Sequence, residues 1–446
     1  MVAGGEHADV WSTESGGLFN EGGWKPVSSF NDSWERDMKI GNRLRLSATG
    51  TLFVTVLLFG CAAVSAGEQQ AATALRAATE GQRSADWLWV YFGTYTRGES
   101  KGIYRAKLDL RSGALSDLQL AAELVNPSFL ALHPTLPRLY ACGEVGQFAG
   151  GKGGAVTALT IDKTTGRLAL LNQQSSGGAG PCHVTVDRAG RNVLVANYGG
   201  GSVAVLPLDD EGRLKEPSCV VQHTGSSVHP TRQKGPHAHS VNLSPDGRFA
   251  FVADLGLDKL MVYRFDAAAG TLAANDPPSA AMAPGAGPRH FAMHPSGRFA
   301  FVINELNSTI TSLAFDAASG GFRAIDSVST LPAEFDGRNT TAEVVVHPGG
   351  RFVYGSNRGH DSIAVFAVDE STGRLTARGH APSGGRTPRN FAIEPSGRFL
   401  LTANQDSDNV VVFRIDPESG TLKAVGVELK VPVPVCVRFH ATRNAR

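Results

Sequence analysis

The chain has 446 residues, with 42 lysines and arginines against 41 aspartates and glutamates. A charge this balanced gives no electrostatic reason to expect nucleic acid or an anionic membrane surface as a partner. The 52 glycines stand beside short apolar runs, which is typical of an all-β chain with many tight turns.

The N-terminal region has the pattern of an export signal. Lys39, Arg43 and Arg45 precede an apolar stretch over 52–66 that is too short to span a bilayer comfortably and ends in small residues. Because such signals begin at the initiator, Met38 is the preferred start and the preceding residues are a misassigned extension, with a disordered leader as the rival interpretation. The expected divisions are a leader over 1–37, a signal peptide over 38–66 and a linker over 67–86.

A second processing route is open at Cys61. The run from Leu58 to Cys61, LFGC, resembles a bacterial lipobox, which places a lipid on the cysteine. Simple cleavage ranks first because Phe59 is unusual in a lipobox, and an uncleaved anchor ranks third. We expect a periplasmic or extracellular protein that touches a membrane only if Cys61 carries a lipid.

The rest of the chain is built from internal repeats, spaced by about 50 residues as in β-propeller blades. Four clear copies contain Pro-x-Gly-Arg-Phe: SPDGRFAFVAD (244–254), HPSGRFAFVIN (294–304), HPGGRFVYGSN (347–357) and EPSGRFLLTAN (394–404). Two weaker copies lie at 187–197 and 133–143. Each repeat has four short apolar runs joined by tight turns, and radial repetition of such a sheet gives a β-propeller.

The seventh repeat is split between the two ends of the chain. WVYFGTYT (89–96) and GIYRAKLD (102–109) are its later strands, and VPVCVRFH (433–440) is its first. Pairing them in one blade closes the ring and removes two exposed sheet edges. We therefore expect an all-β fold, a seven-bladed β-propeller over 87–442, as a monomer.

The repeat separates structural positions from functional ones. Seven residues after each turn glycine lies the same residue type: Asn197, Asp254, Asn304, Asn357 and Asn404. We interpret this recurrence as structural, because Asn and Asp hydrogen-bond their own turn backbone. A ring of metal ligands is the alternative.

Positions that differ between repeats are the candidates for a site. They lie one residue after the recurrent Asn or Asp, and at the start of each blade's first strand. Since the first two strands are antiparallel, both sets should surround one mouth of the central channel. The candidates are His183, His239, Arg289, His290, Glu305, Glu343, Arg358 and Arg389. Guanidinium donors suit carboxylate or phosphate, so this set indicates a small anionic substrate.

Structural roles remain open for four of the candidates. Arg389 and Glu343 can simply pair with each other to stabilise the channel. His183 and His290 can be satisfied hydrogen-bonding residues at strand starts. Otherwise these four are expected to bind substrate.

Several runs resemble the lactonase family of β-propellers, which includes the cycloisomerase-type 6-phosphogluconolactonases and the fungal carboxy-cis,cis-muconate cyclase. The runs are Gly-Pro-Arg-His at 287–290, Asn-Glu-Leu at 304–306, HSVNLSPDGRF at 239–249, SNRGHDSIAVF at 356–366 and YFGTYT at 91–96. The resemblance covers the whole predicted propeller and implies hydrolysis of a sugar lactone in carbohydrate metabolism. The export signal departs from it, because a phosphorylated pentose-pathway lactone is cytoplasmic.

The resemblance implies four catalytic residues: His239, Arg289, Glu305 and Arg358. In the expected mechanism His239 is the general base on a water molecule, and the two arginines hold the anion and the oxyanion. Glu305 orients an arginine or relays the proton, and the choice of base between His239 and Glu305 stays open. No cofactor or metal is expected.

Three competing functions remain. A calcium ion on Glu305 and the channel asparagines is one, although nearby arginines repel a cation. A carboxymuconate-type cyclase using the same four residues is the second. A non-catalytic interaction propeller is the third, because the fold alone does not determine function.

Overall fold

The structure, a computed structural model, describes residues 87–441. The expected leader over 1–37, the signal peptide over 38–66 with Cys61, and the linker over 67–86 lie outside the described residues. All regular elements within 87–441 are β-strands. No helix in this part of the chain is long and apolar enough to cross a membrane.

Thirty strands, β1 to β30 in chain order, make up the fold. The first thirteen are Trp87–Thr94, Gly102–Asp109, Leu115–Glu123, Pro127–Leu132, Arg138–Gly143, Gln147–Phe148, Gly151–Lys152, Ala155–Ile161, Leu168–Ser175, Pro181–Val186, Asn192–Asn197, Ser202–Pro207 and Cys219–Gln222. The next eight are Ala238–Leu243, Phe249–Asp254, Lys259–Asp266, Thr271–Ala281, Pro288–Met293, Phe299–Asn304, Thr309–Phe315 and Phe322–Ser329. The last nine are Thr340–Val346, Phe352–Arg358, Ser362–Val368, Leu375–Pro382, Pro388–Ile393, Phe399–Asn404, Asn409–Ile415, Leu422–Lys430 and Pro434–Ala441.

These strands form seven antiparallel four-stranded sheets, which confirms the seven-bladed β-propeller. From the channel outwards, blade 1 is β4-β5-β8-β9 and blade 2 is β10-β11-β12-β13. Blades 3 to 6 follow as β14-β15-β16-β17, β18-β19-β20-β21, β22-β23-β24-β25 and β26-β27-β28-β29. The short ribbon β6-β7 is inserted between the second and third strands of blade 1.

The seventh blade joins the two ends of the propeller, as its split repeat predicts. Its sheet order is β3-β2-β1-β30, so the C-terminal strand is innermost. β30 pairs antiparallel with β1, where Trp89 lies opposite His440 and Phe92 opposite Val437. Because β30 occupies the innermost position of the blade that β1, β2 and β3 begin, this sheet is left with no unpaired inner edge.

Apolar side chains pack between neighbouring blades. The second strand of a blade is buried on both faces, so it reads as a continuous apolar run such as FAFVAD over 249–254. Phe251 of blade 3 and Val302 of blade 4 belong to one cluster, and both are fully buried. Burial of a side chain of this size stabilises the fold by roughly 1.5–3 kcal/mol.

The recurrent Asn and Asp side chains are structural, but most of them reach further than their own turn. Asn357 Nδ2 donates to the carbonyl of Thr330, which follows the outer strand of the preceding blade, at 2.7 Å. Asn404 Nδ2 makes the equivalent bond to Ser383 at 3.1 Å. Only Asp254 bonds its own turn in the expected way, accepting from Gly256 N at 3.0 Å. Four of the five therefore fasten their blade to the chain that enters it, whereas Asn304 bonds Thr309 and Thr311 of its own blade.

Each inner strand carries a β-bulge near its start. The register of β10 shifts between Pro181 and His183, and that of β18 between Pro288 and His290. A bulge sets two residues opposite one and re-aims the side chains beside it. Simple alternation sends consecutive residues to opposite faces. The bulges instead let neighbouring residues such as Arg289 and His290 both line the channel.

At the other end of the blades, the Pro-Gly turns are held by histidines. His294 Nε2 donates to the Gly350 carbonyl of the next blade at 3.0 Å, and its Nδ1 accepts from Ser296 N at 3.1 Å. His347 makes the same two contacts, to the Gly397 carbonyl and from Gly349 N. Both ring nitrogens of these residues are satisfied, so their role is structural.

Candidate active site

The predicted site residues meet at one mouth of the channel. His183, His239, Arg289, His290, Glu343 and Arg389 lie near the starts of inner strands, and Glu305 and Arg358 lie at the ends of second strands. A small cavity opens among four of them, His239, Arg289, His290 and Arg389. It is lined by Tyr95, Ser128, Phe129, Glu144, Cys182, His239, Arg289, His290, Arg389, Asn390 and Val435.

Glu305 is held by three arginines. Its Oε2 accepts from Arg289 Nε at 3.0 Å and contacts Arg358 Nη2 at 3.0 Å, and its Oε1 accepts from Arg232 Nη2 at 2.7 Å. Burial opposes the charge, but Arg358, Arg289 and Arg232 bring the pKa of Glu305 to about 2. A carboxylate this acidic is a poor proton acceptor near pH 7, so orienting arginines is the role its geometry supports.

The arginine Arg289 is fixed on one side and open on the other. Its Nε binds Glu305 and its Nη1 donates to the Ala342 carbonyl at 2.7 Å. Its Nη2 makes no hydrogen bond within residues 87–441, and Arg289 lines the cavity. Arg358, in contrast, donates to the Thr341 carbonyl at 2.7 Å and lies behind Glu305, outside the cavity wall.

Arg389 contacts residues that the sequence interpretation missed. Its Nη2 donates to Tyr95 Oη at 2.8 Å, and the Tyr95 hydroxyl donates to Glu144 at 3.0 Å. Burial raises the pKa of Tyr95, so its hydroxyl keeps the proton. The Arg389–Glu343 pair, which the sequence left open as an alternative, does not form, because the side chain of Glu343 bonds His290 and Asn390.

Three histidine rings form the neutral part of the site. The His290 ring centre lies 5.3 Å from that of His239 and 5.4 Å from that of His183. Burial lowers the pKa of each of the three well below its ordinary value, and nearby positive charges add to the effect for His239 and His290. All three rings are therefore neutral near pH 7, and each has one ring nitrogen that carries a lone pair.

The three rings have different partners. His183 Nδ1 accepts from Val241 N at 3.4 Å, and this ring lies outside the cavity wall. His239 Nδ1 lies 3.6 Å from the free thiol of Cys182. His290 Nδ1 lies 2.8 Å from Glu343 Oε1, while its Nε2 is buried with no hydrogen-bond partner among the described residues.

Arg232 and Tyr198 complete the rim of the mouth. Arg232 Nη2 also contacts Tyr198 Oη at 3.2 Å. The neighbouring His237 stacks on the Tyr198 ring at 4.5 Å and stays out of the cavity, which separates it from His239. Tyr198 occupies one of the variable repeat positions, so that signal was available. Arg232 lies in the long connection after β13, outside the repeat, where no register could locate it.

A metal site is not supported by the charges at the mouth. No group of three or more His, Cys, Asp or Glu side chains within 87–441 is arranged to hold a metal ion. The carboxylate of Glu305 is surrounded by three guanidinium groups, which repel a cation. The asparagines proposed as co-ligands are bonded to the chain around them, as Asn357 is to Thr330.

Comparisons with known proteins agree with this architecture. A family profile described as "Lactonase, 7-bladed beta-propeller" matches residues 89–439. A 6-phosphogluconolactonase of Bacillus subtilis is 40% identical over 349 residues, which cover 78% of this chain and 97% of that protein. A 6-phosphogluconolactonase of Formosa agariphila is 34% identical and covers 68% of this chain and 85% of its own length. The structure of a periplasmic gluconolactonase of Pseudomonas aeruginosa is 36% identical with a TM-score of 0.75, covering 80% of this chain and 99% of that one.

Proposed function

The chain belongs to the lactonase family of seven-bladed β-propellers, and we propose that it hydrolyses an anionic sugar lactone of the 6-phosphogluconolactone type. The observation that carries this proposal is the cavity in which Arg289 and Arg389 meet the neutral rings of His239 and His290. Ester hydrolysis needs a proton acceptor for water and a positive donor for the oxyanion, and this cavity holds both.

The arginines have different roles: some contact the substrate, and one supports an arginine that does. Arg289 Nη2 stabilises the negative charge that develops on the lactone carbonyl oxygen. Glu305 and Arg358 hold Arg289 in place and complete the catalytic set that the resemblance implies. Arg389 binds the anionic part of the substrate, with a planar fork suited to phosphate or carboxylate. His239, on the cavity wall, contacts the sugar hydroxyls.

We further propose that the enzyme acts after export. The support is the basic and apolar pattern over 39–66 and the description of a similar Pseudomonas aeruginosa lactonase as periplasmic. Cell fractionation followed by N-terminal sequencing tests this, with a start at Gly67 expected. If the mature chain instead starts at Cys61 with a lipid that Cys61→Ser abolishes, the protein is a lipoprotein and simple cleavage at Gly67 is wrong. Recovery of the intact chain in the cytoplasm contradicts export.

The catalytic proposal is tested by the hydrolysis of 6-phosphogluconolactone and of unphosphorylated gluconolactone by the full chain, with and without EDTA. We expect turnover of the phosphorylated lactone that survives EDTA. A preference for the unphosphorylated compound overturns the substrate assignment. Loss of activity in EDTA supports the alternative of a calcium site. Activity only on muconate lactones favours the cyclase, and no turnover of any lactone favours a non-catalytic interaction propeller.

A further inference from the structure

Two neutral imidazoles line the same cavity, but only one of them has a carboxylate behind it. His290 on β18 reaches Glu343 on β22 of the next blade, with 2.8 Å between Nδ1 and Oε1. The neighbour of His239 Nδ1 is the sulfur of Cys182 at 3.6 Å, a weak hydrogen-bonding group. We propose that His290 is the general base of the hydrolysis and that Glu343 is its positioning residue. This inference rests on the proposed function.

The contacts of Glu343 are those of an ionised carboxylate. Its Oε1 accepts from Val344 N at 3.2 Å, and its Oε2 accepts from the Asn390 amide group. Asn390 cannot be turned round, because its own Oδ1 accepts from Val437 N at 2.9 Å. Burial raises the pKa of Glu343, whereas the positive charge of Arg438 and the Val344 N–H favour the charged form.

The ionised carboxylate decides the tautomer of His290. A carboxylate only accepts hydrogen bonds, so His290 Nδ1 carries the proton and donates it to Glu343. The lone pair is then on Nε2, at the opposite side of the ring. This arrangement of carboxylate and imidazole holds a general base in its productive tautomer and stabilises the imidazolium that forms during the reaction.

The unpaired Nε2 points to a missing hydrogen-bond donor. His290 is 4% exposed, and its Nε2 has no hydrogen-bond partner within residues 87–441. A buried polar atom without a partner is unfavourable, because it has lost its hydrogen bond to water. Since the ring lines the cavity beside Arg289, a water molecule held against the lactone carbonyl satisfies Nε2 and stands next to the oxyanion donor.

The proposed step balances without any other reactant. Nε2 takes a proton from the water as its oxygen bonds to the lactone carbonyl carbon, and the carbonyl electrons move to the oxygen that Arg289 stabilises. The tetrahedral intermediate then collapses and the ring C–O bond breaks. The proton on Nε2 passes to the leaving ring oxygen, which becomes the free hydroxyl of the acid product.

Four positive groups surround His290, one beside it on β18 and three on other strands, and they add to the effect of burial in keeping its ring neutral. They are Arg289, Arg438, Arg389 and Arg358. The proposal therefore predicts a kcat/KM that stays constant from neutral pH down into the acid range and falls only where His290 gains a proton. Glu343→Gln removes the nearest negative charge, so it should lower kcat and move this acid limb to still lower pH.

The test compares the full chain with His290→Gln, His290→Ala and Glu343→Gln, using the lactone that the wild type turns over. We expect kcat of His290→Gln to fall by about 10²–10⁴, the usual contribution of a general base. Added imidazole should restore part of the activity of His290→Ala in proportion to its concentration, which a structural role does not produce. His294→Gln is the matched control, since this histidine lies in a turn at the far end of the same blade.

Each outcome gives a decision. A folded His290→Gln with kcat within threefold of wild type overturns the proposal, as does a His290→Ala variant that loses activity and does not respond to imidazole. Loss in His239→Gln together with full activity in His290→Gln assigns the base to His239 instead. A wild-type chain that hydrolyses no lactone overturns the proposed function itself. This outcome differs from failure of the His290 proposal, because the unmodified chain is already inactive.

Discussion

The two ends of the blades use the same residue types for opposite purposes. His294, in a turn at the end remote from the site, has both ring nitrogens bonded within the protein. His290, four residues earlier on the strand that leads into that turn, has one nitrogen bonded to Glu343 and the other unpaired. In this blade the histidine with both nitrogens bonded holds a turn, whereas the histidine with an unpaired nitrogen lines the cavity.

Charged residues follow the same division. At the turn end, Glu394 accepts from the backbone N–H groups of Ser396 and Arg398. At the mouth, the side chain of Glu305 accepts from arginine side chains alone among residues 87–441. The comparison teaches that one blade can be stable at one end and hold unfavourable, reactive charges at the other, because the packed strands between them keep both in place.

The largest expected effect is on stability. Glu305→Gln keeps the size of the side chain but leaves the buried guanidinium groups of Arg289 and Arg358 without their counter-charge. We expect the free energy of unfolding to fall by about 3–5 kcal/mol, as measured by denaturant titration. Glu394→Gln at the turn end should lose only about 0.5–1.5 kcal/mol, because the amide oxygen still accepts from Arg398 N and the bond from Ser396 N is the one that is lost. Equal losses in the two variants contradict the division.

The next effect is on catalysis. Arg289→Ala removes the donor placed beside the lactone carbonyl, and we expect kcat/KM to fall by about 10²–10³. Arg298, exposed in a turn at the far end of the same blade, donates to the Glu370 carbonyl and serves as the control. Steady-state rates of Arg298→Ala should match wild type. If kcat/KM falls as much in Arg298→Ala as in Arg289→Ala, the role assigned to Arg289 is wrong.

A turn histidine should affect stability without affecting turnover. His294→Ala leaves the Gly350 carbonyl and the Ser296 N–H without partners, so we expect a loss of about 1–3 kcal/mol in unfolding free energy. The kcat of the folded variant should stay at the wild-type value. A drop in kcat with unchanged stability is the opposite of what we expect.

The smallest effect is a pH dependence of stability. Burial lowers the pKa of His183 below 6.5, so the unfolded chain binds the proton first as the pH falls. The unfolding free energy is therefore fully retained above about pH 6.5 and decreases below it. His183→Gln should make this decrease shallower by up to about 1.4 kcal/mol per pH unit, as determined from unfolding curves between pH 7 and pH 5. An unchanged slope removes His183 as the source.

The sequence predicted the blades, their closure and the mouth of the channel because aligned positions of the repeats lie at equivalent places in every blade. In the structure, four of its eight site candidates, His239, Arg289, His290 and Arg389, line one cavity. The sequence could not assign hydrogen-bond partners, because these depend on side-chain angles between neighbouring blades, and it therefore left the partner of Glu343 open.

Other features carry no repeat signal at all. Arg232 enters from a connection without a counterpart in the other blades, and Glu144 follows β5 in a loop extended by the ribbon β6-β7. The bulges in the inner strands are equally hidden, because they change the direction of side chains without changing the hydrophobic pattern.

The most direct test of the account is a crystal structure of the full chain with 6-phosphogluconate, the product of the proposed reaction. We expect the C1 carboxylate of this ligand between Arg289 and His290, within hydrogen-bond distance of Arg289 Nη2 and His290 Nε2, and its phosphate towards Arg389. Binding at the other end of the channel, or with the carboxylate away from Arg289 and His290, would contradict the account.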